Sequence, residues 1–154
     1  MSKEIYGFVD LPADTPRDPF WDDLRSSTPL GLFEVSAREL YGFPSDLCPG
    51  PESAILLVGD GPDSMNASYL LDDQDYDPKA EIGLPIQARE RLALLLELLN
   101  RLFVRWNASR VVVCLTVCNE VDDVKRISRG EMFDILPADC AVESPPCLIY
   151  VISA

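Results

Sequence analysis

The greatest density of reactive groups lies between Asp60 and Glu81, where seven carboxylates stand against a single lysine, Lys79. At its centre the chain reads Asp72-Asp73-Gln74-Asp75-Tyr76-Asp77-Pro78. Asp73, Asp75 and Asp77 match the first, third and fifth positions of an EF-hand calcium loop. The match stops there: the sixth position, which needs glycine, is Pro78, and the twelfth, which needs a bidentate glutamate, is Leu84. A solvated acidic loop is the better reading, with a weak divalent-cation site completed by Glu81 as the alternative, and no cofactor is expected.

Other chemistry is excluded by residue type. The chain has no histidine, which removes Ser-His-Asp and Cys-His nucleophiles together with histidine-based metal sites. The five cysteines, Cys48, Cys114, Cys118, Cys140 and Cys147, show no CxxC spacing. Cys114 and Cys118, four apart on an expected strand, would stand about 13 Å from one another, too far to bridge. Reduced thiols follow. Gly59-Asp60-Gly61-Pro62 lacks the lysine and Ser/Thr of a phosphate-binding loop and reads as a turn. Neighbouring carboxylates such as Asp122 and Asp123 are too common in an acidic chain to mark a general acid and base. The expectation is a protein that binds and does not catalyse.

What it binds is indicated by charge. The net charge is −13, and its distribution is lopsided: residues 1 to 81 hold 17 acidic and 5 basic side chains, residues 82 to 154 hold 9 and 8. A field of that sign repels nucleic-acid backbones and anionic membranes and draws cationic proteins in. Partner-binding residues are therefore sought in the acidic loop, at Asp72, Asp73, Asp75, Tyr76, Asp77 and Glu81. They are also sought at Phe20-Trp21-Asp22-Asp23, where aromatic anchors sit beside carboxylates. Burial of Phe20 and Trp21 in the core is the competing expectation. Glu120, Asp122 and Asp123, partly offset by Lys125 and Arg126, form a lesser patch.

The element that must position these groups is the segment Pro85 to Asn107. Leu92, Leu95, Leu96, Leu99, Leu102, Phe103 and Trp106 recur at spacings of three and four, the period of an amphipathic helix. Glu90, Glu97, Arg101 and Arg105 give it a polar edge, with Glu97 four residues before Arg101 in the favourable order. Leu94 and Leu98 intrude on that edge and leave open a contact with a second copy.

Around the helix, Ile5 to Val9, Leu30 to Val35, Ala54 to Val58, Ser68 to Leu71, Arg110 to Cys118 and Cys147 to Ile152 read as strands. Asp18 and Pro19 read as the N-cap and first position of a short helix, Ser36 as the cap of a brief turn, and Glu131 to Leu136 as a helix ended by Pro137. Asn119 to Ile127 is polar and reads as a helical turn. The pattern predicts one α+β domain over residues 1 to 154, a mixed three- to five-stranded sheet with one long amphipathic helix packed on it. No apolar run reaches the ~18 residues of a membrane span, and the first thirty residues show no signal peptide, so the chain is expected in the cytoplasm.

In size, acidity and want of catalytic groups the chain resembles bacterial toxin-immunity proteins. That resemblance lies in overall character and includes no family motif. It implies a cognate toxin, often a nuclease, held in a tight one-to-one complex by a protein that is its stoichiometric inhibitor. Two alternatives are an acidic secretion chaperone for an effector, and an enzyme built on an unrecognised carboxylate site.

Overall fold

Ile5 and Val9 alternate with Tyr6 and Phe8, a period of two that buries both faces of strand β1 (Lys3–Asp10). The computed structural model describes residues 3–72, 74–77, 79, 82–117, 120–142 and 145–154. After β1 come helix α1 (Arg17–Ser27), β2 (Gly31–Glu34), a 3₁₀ turn (Ala37–Glu39) and β3 (Ser53–Gly59). Then follow α2 (Ser68–Leu71), α3 (Ala88–Val104), β4 (Arg110–Val117), β5 (Asp123–Ser128), α4 (Arg129–Cys140) and β6 (Leu148–Ser153). The α+β class holds, but the sheet has six strands among the described residues, in the order β2-β3-β1-β4-β6-β5.

All neighbours are antiparallel except β5 and β6, which run parallel and are joined through α4. The sheet has an apolar layer on each face. Ile5, Val9, Leu56, Val58, Val111, Val113, Leu115, Tyr150 and Ile152 meet the helices. Tyr6, Phe8, Val112, Cys114, Ile149 and Val151 turn the other way, under Leu40, Phe43 and Leu47 of the segment joining β2 to β3. This explains why β4 and β6 are continuous apolar runs: strands covered on both faces have no solvent side. A Cβ on Gly7, in the middle of β1, would lie 2.0 Å from the Val112 carbonyl oxygen, so β1 and β4 approach only because the residue is glycine.

Four local expectations are corrected. Ser68 to Leu71 is a helical turn and not a strand: the Asn66 side chain accepts the Ser68 N–H at 2.7 Å and starts the turn, and adjacent Leu70 and Leu71 are both buried on the helical side. Asp123 to Ser128 is a strand and not a helical turn. As an edge strand it pairs on one side only, with Val124 facing one apolar layer and Ile127 the other, so the expected alternation is diluted.

Helix α1 begins at Arg17 after Pro16 and no side chain caps it, so Asp18 is not its N-cap; Pro19 lies in the first turn, where no intrahelical donor is lost. Pro137 lies inside α4 and does not end it. The Phe133 carbonyl loses its donor there, but Phe133 is exposed, so water can replace it. The start of α4 is firm: Ser128 and Glu131 form a reciprocal capping box.

Candidate partner-binding surface

Helix α3 carries an arginine where its apolar stripe runs. Arg91 stands in line with Leu95, Leu98 and Leu102 and is 0% exposed. A buried guanidinium needs partners for five N–H donors, and here all five go to backbone carbonyls of the segment preceding the helix. Nε donates to Tyr69 at 2.6 Å, one terminal nitrogen to Pro85 at 3.1 Å and Ile86 at 2.5 Å, and the other to Asp72 at 3.4 Å and to Gln74. Its guanidinium carbon lies 4.8 Å from the centre of the Tyr76 ring. Among the described residues no carboxylate forms an ion pair with it. The acidic segment is therefore folded around a cation whose partners are main-chain dipoles, which leaves the carboxylates for other work.

Several of those carboxylates shape the segment locally. Asp72 accepts the Gln74 N–H at 2.9 Å and Asp77 the Lys79 N–H at 2.9 Å, each the two-residue reach of an Asx turn. Asp75 accepts the N–H of Ala88 at 3.0 Å, which caps α3 from outside and sets a negative charge against the positive end of the helix. Asp60 accepts the Tyr69 N–H at 3.3 Å. Asp75 and Asp77 are exposed, and Asp60 and Asp72 half-buried.

Among the carboxylates lies an apolar group. Tyr69 and Tyr76 meet edge to face at 5.9 Å, and the Tyr76 N–H donates to the Ile86 carbonyl at 3.3 Å. Tyr69 is 39% exposed and Ile86 44%. Exposed aromatic and aliphatic side chains ringed by charge are the composition of a binding hot spot. Asp72, Asp75, Tyr76 and Asp77 lie on this one segment, while Asp73 and Glu81 lie outside the described residues. Sequence reasoning missed Arg91, Tyr69 and Ile86. The available signal was a charged residue four positions before Leu95, on the buried stripe.

The second expected patch is a correction. Phe20 is fully buried and Trp21 only 5% exposed; Phe20 packs edge to face on Trp21 at 5.2 Å and on Trp106 at 5.3 Å. They hold α1 to the domain and offer no anchor to a partner. Asp23 is turned inward too, accepting from Arg101 Nε at 2.8 Å and Trp106 Nε1 at 2.7 Å. Hydrogen bonding from Arg101 is the main reason its carboxyl is held down at about 2. Arg101 is therefore paired with Asp23, at 2.5 Å, and not with Glu97. Asp22 alone of that group is exposed. Ten residues of helix, about 15 Å, separate Arg91 from Arg101, so the two expected patches sit at opposite ends of α3.

In the lesser patch near β5, Glu120, Asp122 and Asp123 are all exposed; Asp122 accepts the Cys147 N–H at 2.9 Å, and Lys125 is drawn to Asp139 at 2.8 Å.

Reactive groups are few. Burial pushes the Cys114 thiol up to about 12 and the Cys140 thiol up to about 11, so both are protonated at neutral pH and weak nucleophiles. Burial likewise raises the Tyr6 and Tyr150 hydroxyls, the latter helped by its hydrogen bond to Asp139 at 2.9 Å. Among the described residues no three His, Cys, Asp or Glu side chains converge to hold a metal ion, and no helix is long and apolar enough to cross a membrane.

Neither a protein-family model nor a curated protein nor a solved structure matches the chain.

Proposed function

We propose that this is an acidic binding protein that neutralises a basic protein partner, in the manner of bacterial toxin-immunity proteins, through the surface formed by Asp60, Tyr69, Asp72, Asp75, Tyr76, Asp77 and Ile86. One observation carries the reading: a buried arginine, satisfied wholly by main-chain carbonyls, holds the acidic segment in shape while its carboxylates and the Tyr69 and Ile86 side chains remain at the surface. A surface ordered before the encounter loses little entropy on binding, and its field raises the encounter rate with a cationic groove. Occupying that groove blocks the partner's own substrate, so a nuclease toxin is the fitting target class. The protein acts by occupancy, needs no cofactor, and on this reading works in the cytoplasm.

The test is kinetic. A basic protein recovered with the full chain from extracts of its source cells is bound again at low and at physiological ionic strength, using the natural chain and the Asp72→Asn, Asp75→Asn, Asp77→Asn triple variant. Association that is fast, salt-sensitive and at least tenfold slower for the variant supports the reading. Equal rates for the two chains overturn it.

A further inference from the structure

The outer face of α3 carries a seam that is the same read in either direction. Leu94, Glu97, Arg101 and Val104 follow one another at spacings of three, four and three, the a and d positions of a coiled coil. Val104 is 63% exposed, more than any other large hydrophobic side chain described, and Leu94 is half-buried. A cleft of about 290 Å³ opens beside the seam, lined by Leu94, Leu98, Asn100 and Val104 of α3 and by Ser27 and Thr28 at the end of α1.

We infer that this face is the contact between two copies of the chain, packed as antiparallel α3 helices about a two-fold axis level with Leu99. One axis satisfies both ends of the seam. It sets Leu94 against Val104 of the other copy, and Glu97 against Arg101, because each pair is centred on residue 99. These are the a-to-d layers of an antiparallel pair, and in such an isologous interface every contact is made twice. The smaller Ala93 then lies opposite Arg105, leaving room for its stem. Parallel packing would oppose Glu97 to Glu97 and Arg101 to Arg101, so the polar layer also selects the direction.

Charge argues for this face over others. Two molecules of net charge −13 repel across most of their surfaces, but α3 and the residue after it hold four arginines and two glutamates. Glu97 forms no ion pair within its own chain among the described residues. Asp23 engages Nε and one terminal nitrogen of Arg101, which among the described residues leaves the other terminal nitrogen for a second carboxylate. The inference does not rest on the proposed function. Antiparallel helices send the two Arg91-centred acidic segments to opposite ends of the pair, where both stay open.

Sedimentation velocity on the full chain over a hundredfold concentration range tests this. The natural chain is expected at twice 17.1 kDa. Val104→Asp places two carboxylates in the apolar layers, and Glu97→Lys sets lysine against arginine; each should raise the dimer dissociation constant at least tenfold with an unchanged far-ultraviolet circular dichroism spectrum. Glu34→Lys, the same charge change at the exposed end of β2, should leave the dimer intact. A monomer at every concentration, a dimer indifferent to both seam variants, or a dimer equally lost in Glu34→Lys would each overturn the assignment.

Discussion

Arg91 lies against Tyr76 with its guanidinium carbon 4.8 Å from the ring centre, so one side chain both fills the interior of the acidic segment and sets an aromatic at its surface. Order in that segment depends on the helix beneath it. Among the described residues, Arg91 meets that segment through main-chain carbonyls and not through its carboxylates.

Arg91→Lys keeps the charge but replaces five planar donors by three on a single nitrogen, so at least two carbonyls lose their partner. A loss of about 2 to 4 kcal/mol in unfolding free energy is expected. Amide hydrogen exchange should quicken in 72–77 and 82–86 more than in β1 or β4. Denaturant titration and exchange measured on the same variant check both statements.

Asp23→Asn should cost about 1 to 2 kcal/mol at pH 7, the screened value of its contacts with Arg101 and Trp106. The folded carboxyl titrates near 2, below its ordinary value of 3.8. A depressed acid contributes stability that is complete above the unfolded pKa and is lost as pH falls through the folded one. The gap between the natural chain and the variant should therefore hold at pH 6, narrow below about pH 4 and close near pH 2. Melting curves across that range decide it.

Phe20→Ala and Trp21→Ala should each lower the stability of the free protein by about 3 to 5 kcal/mol, the cost of truncating a packed aromatic. Tyr69→Ala and Ile86→Ser should leave the melting temperature within a few degrees and raise the dissociation rate of the complex. Measuring melting temperature and dissociation rate on all four separates core from contact surface.

The Asp72, Asp75 and Asp77 substitutions to asparagine test charge apart from shape. Asparagine keeps an oxygen that can close the same Asx turns and cap α3 equally well, so the variant should unfold within about 1 kcal/mol of the natural chain. A larger loss, seen in denaturant titration, would mean that the carboxylates stabilise the fold itself and not only an encounter.

The long helix was legible because Leu92 through Phe103 repeat at the helical period, and β4 and β6 because unbroken apolar runs mark strands covered on both sides. The acidic segment stood out by composition, but its organisation did not. Arg91 reads as one more polar residue until the carbonyls around it are seen, and those are contributed by Tyr69, Asp72, Gln74, Pro85 and Ile86 through groups every residue possesses. Asp23 was misread for the reverse reason: its partners, Arg101 and Trp106, lie about eighty positions away in the chain, beyond any local pattern. β5 escaped because an edge strand with one neighbour has little need of alternating side chains.

The most direct test is the hydrogen-exchange footprint of the complex between the full chain and the basic protein it retains. The account predicts protection concentrated in residues 60–77 and 82–86, with α1 unchanged. Protection elsewhere, with those residues exchanging as fast as in the free protein, would contradict it.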